Sequence, residues 1–266
     1  MSQSTGIALR LSWLHPRVRL VLLKPIRLVR SARDQIDIRV LGRLFNPGSV
    51  PWLIERESHF GGYFSQPQLL SWSPLDSRRT SAQGPLSGNE GGDRMARRRH
   101  GYSAGYSKWL RYFRKKQLVI VELGVLRGTG LALWSDLFKD PLLIALDIDF
   151  QPFNESIEYL RGKGAFSERD PKLIVFDAYL PKMHELLATL GSEKIDIFID
   201  DGPHDLPAVI ATAASMRILM SERSVYIVED ALECADALSD LLSDYVLHIE
   251  PRGLLVLERG LTDIGK

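Results

Sequence analysis

The sequence predicts an α/β protein built on a doubly wound, mostly parallel sheet of seven strands that ends in an antiparallel hairpin. From about residue 106 onward, short apolar runs alternate with helix-like stretches. Continuous apolar runs of this length are typical of parallel strands that are buried on both faces. The last two runs are joined by only three residues, which is too short for a parallel crossover and therefore indicates a hairpin.

The predicted elements follow one another in a regular order. The first strand is QLVIVE (117–122), and a glycine-rich turn joins it to the helix-like GLALWSDLF. Four further strands of the parallel type follow: PLLIALDI (141–148), KLIVFDA (172–178), KIDIFIDD (194–201) and SVYIVED (224–230). The later helices are PKMHELLATL, PAVIATAASMRILM and ALECADALSDLL. The terminal hairpin pairs YVLHIE (245–250) with LLVLER (254–259).

Composition divides the chain into three predicted regions. Residues 1–60 form a basic N-terminal extension, since residues 1–45 hold nine Lys and Arg against two Asp. Residues 61–105 are rich in Gly, Ser, Pro and Gln, which predicts a linker or lid. Residues 106–266 carry the sheet.

Overall charge and cysteine content limit the function classes. A formal net charge of +1 gives no general reason to bind nucleic acid. The single Cys234 excludes an intramolecular disulfide and a cysteine-rich zinc site. The apolar stretch 11–30 is interrupted by prolines and arginines, so it predicts neither a spanning helix nor a signal peptide. We therefore expect a cytoplasmic protein, whose basic arm docks on its own domain, stays mobile, contacts an anionic membrane peripherally or supports a homo-oligomer.

The first candidate site is the glycine-rich turn VELGVLRGTG (121–130). Glycines allow a tight turn and the close approach of a ligand to the backbone. The spacing matches neither the dinucleotide fingerprint G-x-G-x-x-G nor the Gly-Lys-Ser/Thr ending of a P-loop. An acidic residue beside the loop, Glu122, suits a cationic ligand. The alternative is that any α/β protein can use glycines at a strand-to-helix turn.

Two further carboxylates end the second and third predicted strands. Asp147 follows Glu122 by about 25 residues, where an acidic side chain can accept from ribose hydroxyls. Asp177 ends the third strand, where a carboxylate could face an adenine amino group. The C-terminal strand ends are the side on which open α/β sheets bind ligands.

These motifs resemble the cofactor motifs of class I S-adenosylmethionine-dependent methyltransferases, which have a Rossmann-like fold. The resemblance is carried by VELGVLRGTG, ALDID, VFDA and the terminal hairpin. It implies that residues 106–266 are a methyltransferase domain, with Asp147 at the ribose and Asp177 at the adenine. The loop residues implied as cofactor contacts are Glu122, Gly124, Arg127, Gly128 and Gly130.

The second candidate site is the doubled aspartate in FIDDGPH. Burying adjacent carboxylates is costly unless a positive group lies between them. Asp200-Asp201 and Glu229-Asp230 end successive strands, so their carboxylates are expected to meet above the sheet. An all-oxygen cluster favours a hard cation such as Mg²⁺. His204 could take the proton from a substrate hydroxyl.

Plainer interpretations of the same residues remain open. Asp201 or Asp205 could cap the helix that begins near Pro207. His204 could be a solvated loop residue, and the acidic pair after the fifth strand an ordinary strand end.

FIDDGPH, YIVED and GGDRMARRRHGYSAGY resemble the metal-dependent sugar O-methyltransferases of the macrocin O-methyltransferase type. The resemblance implies that Asp201, Asp230 and Glu229 bind the metal and that His204 is the general base. Asp200 is placed with the cofactor contacts. Two departures affect the predicted substrate contacts: Pro203 replaces the usual Ser, and the segment after Asp230 lacks the expected aromatic insertion.

The predicted function is O-methylation of a hydroxyl on a sugar or glycosylated metabolite, with S-adenosyl-L-methionine as donor and Mg²⁺ assistance. One alternative is a catechol or phenol O-methyltransferase. Another is a non-catalytic cofactor-binding scaffold whose basic arm binds a membrane or polyanion. The expected partner is a small-molecule or glycan acceptor and not nucleic acid. The basic run Arg94 to Arg99 is predicted to fold over the cofactor as a lid.

Overall fold

The computed structural model describes residues 46–61, 94–95, 100–113 and 117–261. The predictions of a membrane-contacting or oligomerising basic arm concern residues 1–45 and lie outside these ranges. Most of the predicted linker and the arginines at 97–99 also lie outside them.

Seven helices and seven strands form the described part, numbered here in chain order. The helices are α1 (Val50–Phe60), α2 (Ser103–Leu110), α3 (Thr129–Leu137), α4 (Gln151–Gly162), α5 (His184–Leu190), α6 (Leu206–Met216) and α7 (Ala235–Leu241). The strands are β1 (Val119–Leu123), β2 (Leu142–Asp147), β3 (Lys172–Val175), β4 (Ile195–Asp200), β5 (Met220–Val228), β6 (Val246–Ile249) and β7 (Leu255–Arg259).

The predicted fold class is confirmed by the sheet. Its strand order is β3-β2-β1-β4-β5-β7-β6. The first five strands pair in parallel, and β7 runs antiparallel to both β5 and β6. Residues 250–254 connect β6 to β7 around the short turn Pro251–Gly253, and a link of this length allows only a hairpin. The C-terminal ends of β1, β4 and β5 therefore lie side by side at one edge of the sheet.

Several element boundaries differ from the prediction: β3 ends at Val175 rather than at residue 178, and the largest differences lie between α6 and β5. The helix predicted to reach residue 220 ends at Met216, and β5 begins at Met220 rather than near residue 224. The pairing of Ile195 with Met220 extends β5 backward, with a register shift before Ile197. The apolar residues after Met216 continue the pattern of the helix, although they lead into a strand. The sequence does not separate the two elements here, because both are buried and apolar.

Apolar layers cover both faces of the central strands, which explains their uninterrupted apolar runs, whereas β3 at the edge of the sheet is mostly exposed. One layer includes Trp134, Trp109 and Phe153, and the other includes Phe198 and Leu186. Inward-facing residues alternate between the layers along each strand, as strand geometry requires.

Helix α1 belongs to the first layer through Trp52, Leu53 and Phe60, which are almost completely buried. The described residues from 46 onward form one compact unit. The predicted domain boundaries stay a prediction, and the structure adds that a helix from the predicted extension packs in the same core as the sheet. None of the helices in the described ranges is long and apolar enough to span a membrane.

Candidate active site

The glycine loop packs directly against the segment that follows β4. Gly124 has φ +81°, and a Cβ there would lie 1.9 Å from the carbonyl oxygen of Asp201. Glycine is therefore required at this position both by its backbone angle and by the space available. The loop ends at Gly128, the N-cap of α3. Arg127 in the same loop is half-buried.

Asp147 fastens the end of β2 to this loop. Its Oδ2 accepts the backbone N–H groups of Val125 at 2.8 Å and Leu126 at 3.1 Å, while Oδ1 accepts that of Asp149 at 3.1 Å. Burial raises the pKa of the Asp147 carboxyl, and these backbone donors oppose the rise. The carboxylate thus fixes the loop at the point where a ribose contact was predicted.

An open cleft of about 470 Å³ lies next to Asp147. Ile148, Phe150 and Asn154 line it from the β2–α4 side, and Val175 lines it from β3. Asp177 is half-buried two residues beyond β3, and its Oδ1 accepts the Tyr179 N–H at 2.9 Å. An open cleft with apolar walls from Ile148, Phe150 and Val175 and polar walls from Asp149, Gln151 and Glu155 fits the nucleoside end of a cofactor.

Arg94 lies among three carboxylates, those of Glu122, Asp201 and Glu229. Its Nη2 donates to Glu122 Oε1 at 2.9 Å and to Asp201 Oδ2 at 2.6 Å, and its Nε lies 3.0 Å from Glu229 Oε1. Burial alone would lower the pKa of Arg94, but the three carboxylates raise it well above its usual value. The positive group expected between the carboxylates is therefore supplied at least in part by this guanidinium.

The two buried glutamates are both engaged by protein donors. Glu122, which is 1% exposed, also accepts Trp134 Nε1–H at 2.7 Å on Oε2. Glu229 is 2% exposed, and its Oε1 accepts the Tyr106 hydroxyl. Burial raises the pKa of both carboxyls, and Arg94 opposes the rise. The predicted roles of Glu122 at the cofactor and Glu229 at the metal stay predictions.

Asp200 lies on the other face of the sheet from Arg94. Its Oδ2 accepts the Tyr226 hydroxyl at 2.9 Å, and the Tyr226 ring stacks on Phe198 with centroids 4.8 Å apart. Burial raises the pKa of Asp200 to about 7, although the Tyr226 hydrogen bond acts against it. This carboxyl, predicted as a cofactor contact, is buried in the second core layer.

Asp201, His204 and Asp230 come together at the open edge of the sheet. Each offers a ligand atom, and these atoms all lie within 4.8 Å of one another. His204 Nε2 is 3.7 Å from Asp201 Oδ1, while its Nδ1 lies 3.2 Å from the carbonyl oxygen of Glu229. Two carboxylates and an imidazole, each partly exposed, form a donor set that fits a divalent cation.

Asp230 is held by two side chains from the loop before α2. Its Oδ1 accepts the Tyr102 hydroxyl at 2.5 Å and lies 3.1 Å from His100 Nδ1. The hydrogen bond with His100 is the main cause that lowers the pKa of Asp230 to about 2. Both Asp230 and His204 have positive φ, at 52° and 63°. A positive φ is uncommon for non-glycine residues, although Asp and His adopt it more readily than most.

The capping alternative is settled for one of the two aspartates. Asp205 is the N-cap of α6, and its Oδ1 accepts the Ala208 N–H at 3.1 Å. Asp201 does not cap this helix, and its carboxylate faces Arg94 and His204.

Sequence reasoning missed the aromatic and cationic residues that hold the cluster. They are Arg94, His100, Tyr102, Tyr106 and Trp134. The stretch RMARRRHGYSAGY carries Arg94, His100, Tyr102 and Tyr106. From the sequence, this stretch predicts only a family resemblance and a basic lid. Their roles depend on tertiary contacts that the spacing of that stretch does not reveal.

The sheet order, with its single reversed strand β7, is the arrangement that the resemblance to class I methyltransferases implies. No family model matches the sequence. A curated relative is the 8-demethyl-8-alpha-L-rhamnosyl tetracenomycin-C 2'-O-methyltransferase of Streptomyces olivaceus, which is 27% identical over 139 residues. That match covers 49% of this chain and 33% of the relative, so the aligned part spans about a third of the relative's length.

Two solved structures are similar at lower identity. One is the MycE methyltransferase of the mycinamycin biosynthetic pathway, in complex with Mg and SAH, with a TM-score of 0.46 and 20% identity. The match covers 62% of this chain and 51% of MycE. Another is the O-methyltransferase TomG from Streptomyces achromogenes, with a TM-score of 0.40, 14% identity and coverage of 57% and 77%.

Proposed function

We propose that this chain is an S-adenosylmethionine-dependent, Mg²⁺-assisted O-methyltransferase that acts on a hydroxyl of a sugar or glycosylated metabolite. The observation that carries the proposal is the grouping of Asp201, His204 and Asp230 at the ligand-binding edge of a class I methyltransferase sheet. The 27% identity to a rhamnosyl 2'-O-methyltransferase supports the acceptor class.

The glycine loop and the neighbouring cleft would bind the methyl donor. Gly124 and Gly128 shape the loop at the methionine end, and Asp147 would face the ribose. The cleft lined by Ile148 and Val175 would take the adenine, and Asp177 follows β3 two residues beyond its end. In this arrangement the methionine end of the donor would lie nearest to Asp201, since Gly124 packs on the backbone of Asp201.

The group formed by Asp201, His204 and Asp230 would orient and deprotonate the acceptor hydroxyl. Asp201 and Asp230 would hold the metal. When bound, a divalent cation lowers the pKa of a hydroxyl that it contacts, and S-adenosylmethionine supplies the methyl group. His204 accepts the hydroxyl proton at Nε2, while its Nδ1 is oriented by the carbonyl oxygen of Glu229.

The exposure of the cluster is compatible with a small-molecule or glycan acceptor. The side chains of His204 and Asp230 are 35% and 34% exposed, so an acceptor can reach both from solvent. The predictions of membrane contact and of a homo-oligomer concern residues outside the described ranges and stay predictions.

The direct test is methyl transfer from S-adenosylmethionine to a panel of rhamnosylated and other glycosylated acceptors, with added Mg²⁺ or with EDTA. A methylated product that requires Mg²⁺, detected by mass spectrometry, is expected. Catechol and simple phenols belong in the same panel, because methylation of these alone would favour the phenol alternative.

His204→Asn tests the proposed base. Asn tolerates positive φ, so the backbone of residue 204 is preserved. We expect turnover to fall by about 10²–10⁴-fold, the usual contribution of a positioned general base. The melting temperature and affinity for the donor should stay close to those of the wild type. A near-normal rate would remove His204 from the mechanism.

A further inference from the structure

A side-chain hydrogen bond joins two loops at the C-terminal edge of the sheet. Tyr179 lies in the loop after β3, and its hydroxyl donates to Oδ2 of Asp205, in the loop after β4. Strands β2 and β1 lie between β3 and β4 in the sheet. Neighbouring strands are about 4.8 Å apart, so the two joined loops start about 14 Å apart. The contact therefore crosses in front of the ends of β2 and β1.

The Tyr179–Asp205 pair and the glycine loop lie on opposite sides of these strand ends. Val125, in the glycine loop, belongs to the first core layer. Ala178 and Ala208, which stand close to the pair in sequence, belong to the second layer. A ligand that lies across the ends of β1 and β2 would therefore have the glycine loop on one side and the pair on the other.

The Tyr179 side chain is held at both ends, although its ring is open to solvent. Its backbone N–H donates to Asp177 Oδ1 at 2.9 Å, and its hydroxyl is held by Asp205. Asp205 is itself fixed, because its other oxygen, Oδ1, caps α6 by accepting the Ala208 N–H at 3.1 Å. Tyr179 is nevertheless 49% exposed. A large aromatic surface that is already immobilised loses little further entropy when a ligand covers it, and such side chains line small-molecule sites.

We propose that the Tyr179–Asp205 pair forms the wall of the donor site that faces the glycine loop, with the Tyr179 ring against the ribose side of the donor. Asp205 is then a positioning residue, because it acts through the tyrosine hydroxyl. The inference rests on the proposed function, since it takes S-adenosylmethionine to bind across the ends of β1 and β2.

The assignment predicts how three single variants bind S-adenosylhomocysteine. Tyr179→Phe keeps the ring but loses its anchor, so affinity should fall by about 2–10-fold, as for the net contribution of one hydrogen bond. Asp205→Ser keeps a good N-cap residue on α6 but is too short to hold the hydroxyl, so a similar loss is expected. Tyr179→Ala removes the wall itself and should lose more affinity than Tyr179→Phe.

The double variant Tyr179→Phe/Asp205→Ser isolates the hydrogen bond. Both substitutions break the same bond, so the double variant should lose no more affinity than either single variant. Tyr112→Phe is the matched control, because Tyr112 also has an exposed hydroxyl with a side-chain partner, Arg111 Nη2 at 3.0 Å, but lies in the turn after α2. It should keep the affinity of the wild type.

The experiment is calorimetric titration of the full chain and these variants with S-adenosylhomocysteine, beside their melting temperatures without ligand. Weaker binding by the three single variants, no further loss in the double variant and melting temperatures close to that of the wild type support the inference. A purely structural role would instead lower the melting temperature and leave affinity unchanged.

Wild-type or tighter binding by folded Tyr179→Phe overturns the inference, because the ring would then need no anchor. Additive losses in the double variant overturn the role of Asp205. If Tyr179→Ala does not fold, Tyr179→Phe and the double variant decide. Absence of S-adenosylhomocysteine binding by the wild type would reject the donor site of the proposed function and this inference with it, an outcome that the variants cannot imitate.

Discussion

Gly124→Ala tests whether the cofactor loop and the acidic cluster are mechanically joined. The added Cβ would lie 1.9 Å from the Asp201 carbonyl oxygen, whereas real Cβ contacts are essentially never under 3.0 Å. The segment carrying Asp201 must therefore move by more than 1 Å, or the loop must. The neighbouring atom is backbone, so a rotamer change cannot relieve the collision.

The cost has two parts that a matched glycine separates. Gly164 also has positive φ, at +92°, and a Cβ there meets nothing within 4 Å. Gly164→Ala should therefore show only the backbone penalty of about 1–2 kcal/mol, reduced by the entropy gain in the unfolded chain. Gly124→Ala adds an overpacking cost of about 1–3 kcal/mol.

Urea unfolding of both variants measures the difference directly. Thermal unfolding should show a further loss of about 2–4 °C for each kcal/mol of collision energy in a domain of this size. Because Asp201 is displaced, Gly124→Ala should also weaken Mn²⁺ binding, while Gly164→Ala should not. Equal stability and equal metal affinity of the two variants would refute the proposed coupling between loop and cluster.

Three further predictions concern buried carboxyls. The pKa of Asp200 is about 7 in the folded state and about 4 in the unfolded chain, so the folded state binds its proton more tightly and stability falls as pH rises between these values. Asp200→Asn should abolish this pH dependence, which amounts to at most about 4 kcal/mol of unfolding free energy. In urea titrations at pH 8 the variant should therefore be more stable than the wild type. An unchanged pH profile would contradict the burial argument. Trp134→Phe removes the donor to Glu122 Oε2 and should cost about 1–3 kcal/mol in the same assay, more than the nearly neutral effect expected if water replaced the indole N–H. Tyr106→Phe should cost a similar amount through Glu229, and a wild-type unfolding midpoint would show that the hydroxyl is dispensable.

The fold was largely predictable because parallel strands buried on both faces leave a strong pattern. The apolar runs located every strand, and the short link at residues 251–253 identified the hairpin. The beginning of β5 at Met220 was not predictable, since a buried helix end and a buried strand start share the same apolar composition.

The candidate site was predictable only where it follows from strand ends. Asp201 and Asp230 follow neighbouring parallel strands, so their proximity could be inferred from topology. Arg94 lies 107 residues from Asp201 in sequence, in a segment without periodicity, and it is followed by Met95, whose N–H donates to Glu57. The sequence argument required a positive group among the carboxylates but assigned the whole charge to a metal.

The most direct test of the account is calorimetric titration of the full chain with S-adenosylhomocysteine, with and without Mg²⁺, beside an Asp201→Asn/Asp230→Asn variant. The account predicts that the wild type binds the demethylated donor and gives a separate Mg²⁺ signal. The variant should keep binding of the demethylated donor and lose the Mg²⁺ signal. Absence of S-adenosylhomocysteine binding by the folded wild type at saturating Mg²⁺ would contradict the methyltransferase function itself.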